Sequence, residues 1–175
     1  MKLIKLFIIA VISVLLASCV LPNATSYYRP TVDVKSSHVK GHCVPLERYV
    51  LFEINVKGKH YKFRGYGNTY SHNGGEGTEV QLIVEGTWNE IKYKNNEFYL
   101  IPKGGSKKID PTKIYGEQHQ YKDKQSFNSG AVFPKVGEDE FDAYFPQLII
   151  DGEEIDLPVL HIKKTIWIGI SPFNC

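Results

Sequence analysis

Beyond residue 19 no segment repeats apolar residues at i, i+3, i+4 and i+7 over a useful length, which argues against a helical domain. There is no Gly-x-Ser-x-Gly elbow to present an activated serine. Gly65-Tyr66-Gly67 lacks the third glycine of a dinucleotide loop. It also leads toward a strand pattern rather than a helix, so no ring of free N–H groups waits for a phosphate. The longest apolar run, Leu6 to Leu16, has 11 residues, well short of the roughly 20 that a membrane-spanning helix needs. A basic excess is missing too. Without Lys2 and Lys5 the 21 Lys+Arg fall to 19, against 19 Asp+Glu. Nucleic acid, which selects strongly basic surfaces, is therefore not an expected partner.

What is present begins at the N-terminus. Lys2 and Lys5 precede the apolar run, and Leu16-Ala17-Ser18-Cys19 closes it with small residues and a cysteine. A positive start, a short apolar stretch and small residues before the cut form a secretory signal. The Leu-Ala-Ser-Cys ending resembles the lipobox of bacterial lipoproteins. That resemblance covers the first 19 residues. It implies cleavage after Ser18 and acylation of Cys19 on its thiol and its new amino group. A single acyl chain binds membranes only marginally, and several make the anchor durable. In that family Asp after the cysteine favours retention at the inner membrane. Val20 stands there instead, which implies the outer membrane, with the protein facing the periplasm or the cell surface.

The expected organisation is a lipoprotein signal peptide over 1–18, an acylated tether over 19–42 and one β-sandwich domain over 43–175. The tether reading rests on Pro22, Asn23, Thr25, Ser26, Pro30, Ser36, Ser37 and Gly41 with no helical stripe, a composition that buries little. Tyr27-Tyr28 interrupts it and is expected to dock on the parent domain. If Cys19 is lipidated, Cys43 and Cys175 are left as a pair in an oxidising compartment and are expected to form a disulfide.

From Cys43 the pattern has a period of two. Val50, Phe52, Ile54 and Val56 share one face of an expected strand, and Lys57-Gly58-Lys59 looks like a hairpin turn. Gly65 to Gly77 reads as a glycine-rich loop. Val80, Leu82 and Val84 mark the next strand. Asn95-Asn96 predicts a type I′ turn between two more strands, because asparagine tolerates positive φ. Pro102 to Gly130 reads as a long polar excursion with one short strand near Lys113 to Tyr115. Later strands carry Phe141, Ala143 and Phe145, then a hairpin about Asp151-Gly152, then Ile166, Ile168 and Ile170 opposite Trp167. Short strands with frequent turn signals predict an all-β, antiparallel, immunoglobulin-like β-sandwich. The alternative is a lipocalin-like β-barrel, since Gly86-Thr87-Trp88 is similar to the Gly-x-Trp of lipocalins, where it opens the first strand.

Chemical candidates are few. His38 and His42 sit at i and i+4 beside Cys43, a spacing that puts both rings on one face of an extended segment, but no further ligand is singled out and no metal or other cofactor is expected. Carboxylates at Glu138-Asp139-Glu140 and Glu153-Glu154 lie on turn-like polar stretches, where solvation is the ordinary state. No catalytic residues are assigned, and an enzyme is not expected. Charge is laid out unevenly. Glu138 to Asp156 holds eight acidic residues and no Lys or Arg, while Lys103 to Lys124 holds six lysines and three acids. Two opposed patches of this kind steer partners.

The sequence therefore predicts an envelope lipoprotein that works by contact, with the lipid bilayer as one partner through Cys19. The other is a protein or a wall polysaccharide, and an immunity protein is one form of the former. Gly65–Gly77 and Pro102–Gly130 are the expected contact loops. The alternatives are a small-molecule carrier in a barrel and a hydrolase of wall material. Non-reducing peptide mapping of the mature protein should recover Cys43 joined to Cys175. Two alkylatable thiols in native protein would refute the bridge.

Overall fold

The computed structural model describes residues 22–40, 46–72, 75–121 and 124–170. Cys19, Cys43 and Cys175 lie outside the described residues, and the expected acylation and disulfide lie there with them. Thirteen strands run β1 (Pro22–Thr31), β2 (Ser36–Val39), β3 (Tyr49–Val56), β4 (Lys59–His72), β5 (Gly75–Gly86), β6 (Ile91–Tyr93), β7 (Tyr99–Pro102), β8 (Lys113–Tyr121), β9 (Lys124–Pro134), β10 (Glu140–Tyr144), β11 (Leu148–Ile150), β12 (Glu153–Ile155) and β13 (Leu160–Ile170). The pairings are antiparallel, in three sheets of order β2-β3-β4-β5-β9-β8, β1-β13-β10-β7 and β12-β11-β6.

Alternation explains the layers. Val50 and Phe52 of β3, Tyr61 and Phe63 of β4, Val80, Leu82 and Val84 of β5, and Phe127, Ala131 and Phe133 of β9 all point inward and are buried. That apolar face of the six-stranded sheet is covered by the other two sheets side by side. One core cluster joins Val50, Val80 and Phe133 to Leu100, Phe141, Leu160 and Ile162 of the four-stranded sheet. A second joins Phe52, Phe63 and Leu82 to Ile91, Leu148, Ile150 and Ile155 of the three-stranded sheet. Tyr93 and Phe145 touch both clusters. Phe98 meets the rings of Tyr93 and Phe145 at 4.9 and 5.7 Å, both edge to face, and so fills the junction.

The molecule is thus an all-β antiparallel sandwich. The lipocalin-like alternative does not hold, because the outermost strands of the larger sheet, β2 and β8, do not pair with each other and the sheet stays open. Gly86-Thr87-Trp88 ends β5 rather than opening a barrel, and Trp88 is buried in the second cluster.

Two hairpins follow the sequence closely. Lys57-Gly58 has φ of 48° and 82°, and Asp151-Gly152 has φ of 50° and 84°. Two-residue loops with both φ positive match the right-handed twist of the strands they join. Asn95-Asn96 is different. Positive φ outside glycine occurs at Lys57 and Asp151 among the described residues, and β6 and β7 pair in separate sheets. The expected I′ hairpin there is instead a crossing between sheets, with Asn95 Oδ1 accepting from the Glu97 N–H at 3.0 Å.

Three segments expected to be irregular are partly or wholly strands. The glycine-rich stretch from Gly65 is a long antiparallel pair, β4 with β5. The polar excursion lies outside the strands over 103–112 as expected, but the strand expected near Lys113 to Tyr115 runs on to Tyr121 as β8 and pairs with β9, from Lys113↔Val132 to Tyr121↔Lys124. The glycines are there for close approach. A Cβ on Gly65 would stand 3.0 Å from Leu160 Cδ1, and one on Gly67 would stand 3.0 Å from Ile162 Cδ1, so β4 and β13 pack nearly backbone to side chain. The third correction is the tether. Residues 22–31 pair with β13 along their whole length, from Pro22↔Ile170 to Thr31↔His161, and residues 36–39 form an edge strand on β3. Proline is tolerated because β1 is itself an edge. Tyr28 is docked as expected, with 7% of its surface exposed and its ring 5.4 Å from Phe141, edge to face.

Tyr28→Ala should therefore lower stability by about 3 kcal/mol, the usual loss for truncating a buried aromatic. Urea unfolding with an unchanged slope would measure it. A midpoint equal to wild type would return the segment to a tether.

Candidate binding surface

The six-stranded sheet has a second face. By the period of two, residues next to the buried ones point away from the core, and the register lines them up across strands. Tyr66 of β4 opposes Gln81 of β5, Gln81 opposes Gly130 of β9, and Gly130 opposes Tyr115 of β8. Tyr49 of β3 adjoins Tyr66, with ring centroids 5.0 Å apart at 65°. Three tyrosines and a glutamine thus form one transverse row. Leu51, Ile83 and Val132 flank it, half-buried, on the same face.

Hydrogen bonds and charge hold the row in shape. The Tyr115 hydroxyl donates to Glu79 Oε1 at 2.7 Å. Its ring lies across Gly130, where a Cβ would stand 2.5 Å from the Val80 carbonyl oxygen and 2.7 Å from the Tyr115 Oη, so a side chain at 130 would disturb both the strand pairing and the tyrosine. Burial, then Glu79 and Tyr49, push the Tyr66 phenol up to about 12. Burial and the Glu79 hydrogen bond push Tyr115 higher still. Both hydroxyls therefore stay protonated and remain donors across the physiological range. The Arg64 guanidinium lies 5.9 Å from the centre of the Tyr49 ring and pairs with Glu85 at 3.0 Å. Its Nε is buried without a partner among the described residues. No strand covers this face among the described residues.

The expected contact loops Gly65–Gly77 and Pro102–Gly130 are largely strands, with 103–112 outside them. Tyr66 and Tyr115 lie within these stretches, but the sequence marked them only as a residue between two glycines and as the end of a short strand. The usable signal was Gly65-Tyr66-Gly67-Asn68, an alternation in which glycine faces inward and the large residue outward.

The remaining candidates resolve as follows. His38 Nε2 is 2.9 Å from the Pro30 carbonyl oxygen and ties β2 to the end of β1, while His42 lies outside the described residues. The acidic run is not a standing patch. Lysines from other strands meet it: Lys57 with Glu153 at 2.5 Å, Lys59 with Asp151 at 2.9 Å, Lys94 with Glu154 at 2.8 Å and Lys163 with Glu140 at 2.5 Å. Asp151 also accepts the N–H groups of Asn89 and Glu90. Lys59 first, then those two amides, hold its carboxyl at about 2. Exposed pairs of this kind add little stability each, but they cancel the local field.

On the outer face of the four-stranded sheet, His161 stands between two carboxylates, with Nδ1 2.7 Å from Asp142 and Nε2 3.1 Å from Asp33. A carboxylate only accepts, so both ring nitrogens donate and the imidazolium is favoured. A general base for hydrolysis would turn one nitrogen to a hydroxyl nucleophile; here both face acids. Set against known protein families, curated proteins and solved structures, the chain matches none of them.

Burial pulls the His161 pKa down, but the hydrogen bonds to Asp142 and Asp33 outweigh it and raise the pKa above 6.5. A raised pKa means that the folded state holds the proton more tightly. Its stabilising share is complete below the unfolded pKa and is lost as pH rises through the folded one. An NMR titration should place His161 above the ordinary histidine value, and Asp142→Asn should move it down. A wild-type value below the ordinary one would contradict the arrangement.

Proposed function

We propose that this chain is an outer-membrane lipoprotein, acylated at Cys19, whose sandwich binds wall polysaccharide on the outer face of its six-stranded sheet. The observation that carries this reading is the row Tyr49, Tyr66, Gln81 and Tyr115. A pyranose ring presents a face of C–H groups edged by hydroxyls. Aromatic rings with a negative face suit the C–H groups, and a few placed polar groups suit the hydroxyls. Gln81, Arg64 and the Tyr66 phenol supply donors, and the Tyr115 oxygen, whose proton is given to Glu79, supplies an acceptor, on an open surface that suits an extended chain better than a small enclosed ligand.

A protein partner, an immunity function included, is the second reading. Tyrosine and arginine are the residues that most often anchor protein interfaces, and this face has both. The carrier reading loses support with the barrel. Fully buried Phe63, Leu82, Leu100, Phe141 and Leu148 occupy the space between the layers.

Purified wall sacculi should retain the mature protein, and Tyr66→Ala with Tyr115→Ala should weaken retention at least about tenfold, equivalent to about 1.4 kcal/mol. Retention by sacculi that both variants match would sink the polysaccharide reading. No retention, with a crosslinked envelope protein lost in the variants, would favour the second. Mass spectrometry should find acylated Cys19 as the first residue of the native protein; an unmodified thiol there would remove the anchor.

A further inference from the structure

The ribbon of β1 and β13 outruns the core. Leu160 and Ile162 point inward and are buried, yet Ile166 and Ile168, on the same side of the same strand, are 66% and 76% exposed. Their partners across the ribbon are Ser26 and Ala24. On the opposite side the Trp167 ring folds back over Gly169, where a Cβ would clash with it. From Pro22 to Tyr28 and from Thr165 to Ile170 there is no charged side chain. The charge begins further back, at Arg29, Lys163 and Lys164, where Lys163 and Lys164 pair with Glu140 and Asp139.

Along the ribbon from its outer end, Ile168, Trp167 and Ile166 therefore come first, then Tyr27 opposite Thr165, then Lys164, Lys163 and Arg29, each paired with an acid. An uncharged apolar and aromatic end with the charge held behind it suits a membrane interface. From Lys164 to Ile168 the strand advances about 13 Å, enough for its end to pass the headgroups and reach the acyl boundary. Cys19 precedes Pro22 by three residues, at most about 11 Å of chain.

We propose that the free end of the β1–β13 ribbon, with Ile166 and Ile168 foremost, docks on the bilayer that holds the acyl chains of Cys19. This rests on the lipoprotein reading given above. The ribbon then acts as a rigid second contact beside the lipid anchor. It fixes the sandwich upright on the membrane, with the tyrosine face turned sideways into the envelope.

The test uses the full mature protein, acylated at Cys19, in vesicles of phosphatidylethanolamine and phosphatidylglycerol carrying brominated acyl chains. Bromine quenches a nearby indole. Trp167 should lose most of its emission, while Trp167→Phe, which leaves only buried Trp88, should show no quenching. Ile166→Glu with Ile168→Glu should abolish the quenching while the protein stays vesicle-bound. Both positions are exposed, so the fold should persist, and circular dichroism would check it. Vesicle-bound protein with unquenched Trp167 would overturn the docking and leave the anchor intact. A dimer lost in the glutamate variant, again without quenching, would overturn it in favour of a second copy of this chain. An unmodified Cys19 would overturn the anchor and the docking together.

Discussion

The buried face of the six-stranded sheet is wider than either sheet that covers it. Phe52 and Phe63 lie under one cover, Val50 and Val80 under the other, and the boundary passes between neighbouring residues of the same strands. Removing that much apolar surface from water is the main favourable contribution to folding, and no single one of these short covering sheets could do it. The chain answers by crossing between covers three times, from β6 to β7, from β10 to β11 and from β12 to β13. Phe98 and Phe145 are packed where the first two crossings meet.

The same need recruits the N-terminal segment. Tyr28 joins the cluster under the four-stranded sheet, and Pro30 stands opposite Ile162. A segment of that composition would not fold alone. It becomes a strand because β13 presents an unpaired edge beside an incompletely covered core. Pairing to β13 also makes residues 22–31 a strand of the folded domain rather than slack chain.

Charge and contact are divided between the faces of the molecule. Acidic residues late in the chain meet lysines contributed by β3, β4, β6 and β13, or by the turns beside them, so the acidic run is largely paired in space. The outer face of the large sheet keeps its tyrosines instead. That row exists only because Gly130 leaves room for the Tyr115 ring, and because antiparallel register aligns residues from four strands. Nothing along the chain marks these residues as neighbours: Tyr49, Tyr66, Gln81 and Tyr115 are spread over 67 positions.

What the sequence by itself determined was local. Alternation named the inward faces of β3, β5 and β10, and Lys57-Gly58 and Asp151-Gly152 named two turns, because side-chain direction and turn geometry depend on a few adjacent residues. Alternation misled where glycine took the inward place, since Gly65 and Gly67 carry no apolar side chain to show that their face is packed. Tertiary structure alone decided that β1 pairs with β13, that Thr31 lies beside His161 across 130 residues, and that the second layer is divided. Those choices depend on which edges and apolar surfaces remain uncovered once the rest has packed, and such a quantity exists only in three dimensions.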